Sequence, residues 1–231
     1  MESFQESILD NLSNPIVFTI PLFGGIPVAQ SVVGSWITMA TIMILTLLLT
    51  QNLKERNPGK VQIVIEAGVS YLNNFVKEHT GERWRSFAPY LGTITLYIAL
   101  SNVSGLFGIS PPTKDVNVTA ALAVMSGVLI YGAQFYCRGF IGGLKHFAEP
   151  IPLLLPINLM EIFVRPLALC MRLFGNILGA YIIMEMIKYF LPIVVPVPFS
   201  LYFDLFDGAI QTIIFVFLTT LFLGEGIQEE E

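Results

Sequence analysis

The chain has 231 residues, of which 54% are hydrophobic and 13% charged, with a mean hydropathy of +0.71; a soluble globular domain carries roughly a quarter charged residues. That balance excludes collagen, coiled-coil and disordered classes and places the chain in a membrane. The formal charge of -5, from 12 Lys and Arg against 17 Asp and Glu, leaves no basic face for phosphates, so nucleic acid is excluded as a partner.

The N-terminal stretch, MESFQESILDN, is acidic and lacks the basic region and short apolar core of a secretory signal. Residues 1–32 are expected as a segment outside the membrane. Apolar runs of about 18 or more residues are candidate membrane helices, because about 20 residues at 1.5 Å rise cross a hydrocarbon core of roughly 30 Å. Five such runs follow, at residues 33–53, 89–109, 118–137, 159–191 and 200–224. The fourth and fifth carry ionisable or amide groups within the span.

Between the first two spans, Val61, Val64, Ile65, Gly68, Val69, Leu72 and Phe75 recur at helical spacing, while Gln62, Glu66, Asn73 and Asn74 fill the other side. The pattern predicts an amphipathic helix over 61–76, lying at the interface or packed on another subunit. Prolines 111, 112, 150, 152, 156, 192, 196 and 198 punctuate the joins between spans. No second domain and no internal repeat is evident, so residues 1–231 are expected to form a single membrane domain.

Short loops of cytoplasmic location carry an excess of Lys and Arg. Lys54, Arg56, Lys60, Lys77, Arg83 and Arg85 lie between spans one and two, and Arg138 and Lys145 between three and four; the opposite side holds Lys114 and Lys188. This bias predicts an N-terminus outside and a C-terminus in the cytoplasm, a parity that five crossings satisfy.

An ionisable group within a span costs about 2.5–3.5 kcal/mol on insertion scales and is a functional candidate by default. Span four contains Glu161, Arg165, Arg172, Asn176, Glu185 and Lys188. Arg172 is too far from either end to snorkel readily, and arginine keeps its proton even when desolvated, so the site holds a permanent positive charge. At roughly 100° per residue, Glu161 and Arg165 project within about 20° of Arg172 and Asn176 within about 40°. Tyr181 and Glu185 fall about 140–180° round the helix by the same arithmetic, towards a separate aqueous cavity. In span five, Asp204, Asp207 and Gln211 are spaced three and four apart on one face, which suits a hydrated cation path. The nearest intrachain acids to Arg172, Glu161 and Glu185, lie about 16 Å and 20 Å along the helix axis. A counter-charge from another chain is the implied solution.

No enzyme constellation competes. His79 and His146 fall in polar segments that read as solvated loops, and no cysteine cluster, Walker loop or GxSxG is present. Cys137 and Cys170 lie in apolar stretches and are expected as free thiols rather than a disulfide. No cofactor and no metal site is expected.

Around Arg172 the residues become specific. The stretch PLALCMRLFGNILG (Pro166 to Gly179), preceded by PINLME (Pro156 to Glu161), resembles the signature of the a subunit of F-type ATP synthases. DVNVT (Asp115 to Thr119), NVSGL (Asn102 to Leu106) and GAIQ (Gly208 to Gln211) agree with it in order, so the similarity covers about residues 57–224. The resemblance implies an all-α integral membrane protein, of about five crossing helices and one interfacial helix, whose last two helices are long and tilted along a ring of c subunits. It implies a stator channel with two offset half-channels that carry H⁺ or Na⁺ to and from the c-ring carboxylates and couple ion flow to rotation and ATP synthesis. Partners implied are the c ring, b-type peripheral stalk subunits and the rest of the complex, in an energy-coupling membrane, bacterial plasma membrane or thylakoid.

By the same resemblance Arg172 matches the family's essential arginine, Gln211 the glutamine beside it, and Asn176 lines the same site. Family members carry an ionisable residue nine positions after the arginine, where this chain has Tyr181; Glu185, one turn further, is expected to supply the displaced carboxylate. Asp204 stands where relatives carry His or Glu, and with Glu185 and Asp207 forms the expected outside half-channel, with Asp115 at its mouth. Glu161, with Asn158, is expected in the cytoplasmic half-channel. On this reading the chain performs no bond chemistry of its own. A stand-alone secondary cation transporter would use the same intramembrane acids but should show repeats and discontinuous helices, and a structural scaffold would leave Arg172 unexplained.

Overall fold

In a computed structural model of the chain, the structure describes residues 15–21, 26–51, 53–54, 58–107, 110–146, 153, 155–190 and 196–227. The acidic N-terminal stretch, Arg56, Pro150, Pro152, Pro192 and the acidic C-terminal tail lie outside the described residues.

The protein is an all-α integral membrane protein. Among the described residues five helices are long and apolar enough to cross a bilayer. In chain order these are α1 (Gln30–Thr50), α3 (Trp84–Val103, continued by a 3-10 turn to Phe107), α4 (Val116–His146), α5 (Leu155–Phe190) and a final segment. That last segment is compound: α6 (Pro196–Ser200), a π-helical stretch (Leu201–Asp207) and α7 (Gly208–Ile227). Between α1 and α3 lies α2 (Lys60–Thr80), which follows Pro58-Gly59 and stops at Gly81, whose φ of 62° suits a residue without Cβ. A two-stranded antiparallel hairpin, β1 (Ile16–Ile20) with β2 (Ile26–Ala29), precedes α1.

Helices dominate because lipid offers no hydrogen bonds to exposed backbone, so each span must satisfy its own. Hydroxyls within the spans follow the same rule: Thr38, Thr41, Thr93, Thr95, Thr212, Thr219 and Thr220 each donate to the carbonyl four residues earlier. Gly139, at φ 72°, interrupts α4, so the apolar part of that helix ends close to Cys137 while helical structure resumes to His146. Pro89 lies inside α3 and Pro166 inside α5, and each removes a backbone donor from its helix. Both cysteines are free thiols.

Contacts divide the chain into two compact units whose boundaries fall inside helices. The second (Met43–Leu96, Ala120–Cys170, Ile213–Glu231) has a core of Val76, Phe87, Ala88, Leu91, Ile130, Ala133, Val216 and Leu223. Val76 of α2 is fully buried there with Leu72 and Phe75 packed beside it, whereas Val61, Val64 and Val69 are exposed. His79, expected in a solvated loop, instead belongs to the last turn of α2, with Nδ1 2.9 Å from the Phe75 carbonyl and its ring against Phe75 and Phe217. The loop reading failed because α2 continues four residues beyond its apolar pattern.

The first unit (Met1–Ile42, Tyr97–Thr119, Met171–Thr212) buries Ile98 and Leu173 and also carries polar contacts between helices. Tyr97 donates to Ser35 Oγ (2.9 Å), Ser31 donates to the Asp115 carboxylate, and Ser101, Thr113 and Asn102 form a buried cluster. Lipid supplies no hydrophobic drive between helices, so close packing and such hydrogen bonds set this association.

Candidate functional site

A cavity of about 500 Å³ lies in the first unit, walled by α5, by the 102–111 segment and by the compound last helix. Six of the expected site residues line it: Asn176, Tyr181 and Glu185 from α5, and Asp204, Asp207 and Gln211 from the last segment. Of the second group, the π-helical stretch holds Asp204 and Asp207 and the α-helix that begins at Gly208 holds Gln211, so the α-helical spacing expected for all three does not run through the two aspartates. A π-helical turn widens the helix and recurs at functional sites.

The cavity's carboxylates have different partners. Ser200 Oγ donates to Asp204 Oδ2 at 2.7 Å, one turn back. Glu185 accepts from Lys188 Nζ at 3.0 Å. Asp207 forms no ion pair among the described residues. Beside Glu185, the Lys114 ammonium sits 3.6 Å from the centre of the Tyr181 ring, a cation–π contact. Burial lowers the Lys114 pKa below its usual value, and the negative charge of Glu185 partly opposes this.

Gln211 is 3% exposed and its Nε2 is a buried donor with no hydrogen-bond partner in the described structure. Buried donors are nearly always paired, and leaving one unpaired costs about 1–3 kcal/mol. An acceptor from outside the chain would satisfy it.

Arg172 does not line this cavity. It is exposed, next to exposed Met171 and fully buried Leu173, and it forms no ion pair among the described residues. Exposed positions recur along α5 at helical spacing, Met160, Phe163, Val164, Leu167 and Met171, and form an outward apolar stripe; Arg172 lies beside it, about 120° round the helix from its centre and in line with Glu161 and Arg165. Asp115 does not line the cavity either. Its main-chain oxygen accepts from Val118 and Thr119 N–H, and its Oδ1 accepts from Asn117 N–H at 2.9 Å, which caps α4.

Glu161 belongs to the second unit. It accepts from Arg165 Nε at 2.9 Å, and Arg165 also reaches Glu225 at 2.9 Å and stacks over Phe222 at 4.7 Å. Tyr131 donates to the Glu161 main-chain oxygen at 3.1 Å, and Arg138 Nε donates to Gly226 O at 3.0 Å. Glu225 escaped the sequence reading because it stands one residue past the expected end of span five; its place one turn beyond Leu221 on a helix rich in apolar residues was the available signal.

The family model described as ATP synthase A chain matches residues 32–224. The chain is also similar to "ATP synthase subunit a, sodium ion specific" of Propionigenium modestum, at 31% identity over 223 aligned residues that cover 90% of this chain and 77% of that protein. A family match over most of the chain, with five spanning helices and an arginine set within one of them, leaves one assignment: the chain belongs to the ATP synthase A chain family and is an ion-translocating stator subunit of an F-type ATP synthase.

Proposed function

We propose that this chain carries cations through two offset half-channels to and from the carboxylates of a c ring, and that Arg172 separates the two paths. The observation that carries the reading is Arg172 itself, an exposed guanidinium beside an apolar stripe of a spanning helix, with no ion-pair partner among the described residues. A permanent charge in that setting calls for a carboxylate from another chain. The arriving c-ring carboxylate exchanges its bound cation for the guanidinium, and the fixed charge repels any cation that would pass directly from one half-channel to the other. Gln211, with its unpaired buried amide N–H, donates to the same incoming carboxylate, and Asn176 stands beside it in the cavity wall.

The cavity of the first unit serves as the outside half-channel. Asp204, Asp207 and Glu185 draw the cation in, Tyr181 lines the passage, and Asp115 fixes the 110–114 segment at its mouth by capping α4. Glu161, with Asn158, serves the cytoplasmic half-channel. The last two spans lie tilted along the c ring, and b-type stalk subunits hold the chain against rotation. The chain makes and breaks no covalent bond itself. The chain works in an energy-coupling membrane, bacterial plasma membrane rather than thylakoid on this reading, with the N-terminus outside and the C-terminus cytoplasmic, an orientation that the Lys and Arg bias supports.

The test is ATP-driven lumen acidification in inverted vesicles containing the assembled complex, native against Arg172→Ala, with equal assembly verified. Native acidification and its loss in the variant supports the arginine-gated proton path. Acidification unaffected by the substitution overturns the role of Arg172. If native vesicles assemble but take up ²²Na⁺ instead of acidifying, the ion is sodium.

A further inference from the structure

Gly105, in the 3-10 turn that continues α3, lies against the carboxylate of Asp204. A Cβ at position 105 would stand 2.7 Å from Asp204 Oδ1, 2.9 Å from its Cγ and 3.2 Å from its Oδ2, and these are the nearest atoms it would meet. The relation is reciprocal. A Cβ at Gly208 would stand 2.8 Å from Asn102 Cβ, and Asn102 Nδ2 donates to the Gly208 carbonyl at 3.0 Å. Asn102 and Gly105, three apart, thus face Asp204 and Gly208, four apart, each side placing one side chain in the other's glycine notch.

The notches meet the middle of the π-helical stretch, at Asp204, and the residue that follows it, Gly208, so they flank the part that carries Asp207. Asn102 is 5% exposed, and its carbonyl oxygen accepts from Thr113 Oγ1 at 3.5 Å, which ties the notches to the segment leading into α4. Small residues that let backbones approach closely are a general device of helix association in lipid. Here one of them admits a carboxylate rather than a backbone, which points to a role in the ion path as well as in packing.

We propose that Gly105 is a positioning residue for Asp204: its missing side chain is the space in which the half-channel carboxylate is held. The inference rests on the reading that Asp204 lies in the ion path. The cavity's other charged or titratable groups are Asp207 on the same element and Tyr181, Glu185 and Lys188 on α5, and the 102–111 segment adds none to its lining.

The experiment transposes the carboxylate. ATP-driven cation pumping of assembled complexes in inverted vesicles is compared for native, Asp204→Ala, Gly105→Asp, the Gly105→Asp/Asp204→Ala pair and Gly105→Ala, with pH profiles for each. Asp204→Ala and Gly105→Asp each lower pumping by about tenfold or more, the first by removing the relay and the second by crowding two like charges. The pair recovers most of the native rate, because the carboxylate introduced by Gly105→Asp occupies the space that Asp204→Ala vacates. Gly105→Ala assembles and pumps with a shifted pH profile, and it keeps the proposal testable should Gly105→Asp fail to assemble. A native pH profile in Gly105→Ala, or a pair no better than the worse single variant while Asp204→Ala is impaired, overturns the positioning role alone. Native pumping by Asp204→Ala removes Asp204 from the ion path and overturns both readings.

Discussion

Lys114 places its ammonium 3.6 Å from the centre of the Tyr181 ring, joining the short turn before α4 to the wall of the cavity. Desolvation lowers its pKa from 10.5, and the Glu185 charge works against that shift. The sign follows for both states: burial makes Lys114 lose its proton at lower pH than a free lysine, and removing the negative charge makes it lose the proton lower still. Acylation of Lys114, followed by peptide-resolved mass spectrometry across pH, should titrate below 10.5 in the native complex and lower again in Glu185→Gln. A midpoint that rises in Glu185→Gln would contradict the contact.

Gln211 offers a second test. Its Nε2 has no partner within the described chain, so Gln211→Leu removes no internal hydrogen bond from that atom and fills about the same volume. Complex stability should change little, while pumping falls by roughly tenfold or more, the worth of a lost hydrogen bond of about 1–3 kcal/mol to a charged partner. Equal losses of assembly and pumping would make the residue structural.

The Glu161–Arg165–Glu225 group is graded by exposure, with side chains 25% exposed for Arg165 and 49% for Glu225. Water and lipid headgroups screen such pairs, so Glu225→Gln should cost less than about 1 kcal/mol. Arg165→Gln, which breaks both pairs and the Phe222 contact, should cost about 1–2 kcal/mol. Thermal denaturation of the detergent-solubilised complex orders the two, and the reverse order would refute the bridging role.

Packing at the end of the last helix is tighter. A Cβ at Gly224 would stand 2.5 Å from the main-chain oxygen of His79, and backbone does not yield as a flexible side chain would. Gly224→Ala should therefore destabilise the complex by about 1–3 kcal/mol, read as a lower midpoint in the same thermal assay. Gly132→Ala, where a Cβ meets nothing within 4 Å, is the control and should leave the midpoint near native.

Length and hydropathy made the five spans legible, because a bilayer imposes a single length on every crossing. Arg172 stood out for the same reason, as a charge where composition forbids one. The hairpin of Ile16–Ile20 with Ile26–Ala29 was hidden, since five- and four-residue strands beside Pro21 and Pro27 show no usable period. The π-helical stretch was hidden more deeply: an i to i+5 bond pattern has no composition of its own, and here its middle and its C-terminal flank meet Gly105 and Asn102 from a segment distant in sequence. The resting place of Asp204 therefore depends on a pair of glycines whose importance no spacing rule could announce. Glu225 was missed for a humbler reason, the blurred end of an apolar run.

Under the proposed function, the outward stripe on α5, Met160, Phe163, Val164, Leu167 and Met171, with exposed Arg172 at its side, has a mechanical consequence. Dispersion contacts with such side chains are individually tiny and lack direction, so the rotor that this reading sets against them would meet a nearly level surface and lose little energy to friction. On the same reading one guanidinium would act as the pawl of an escapement, set at the edge of the bearing rather than within it.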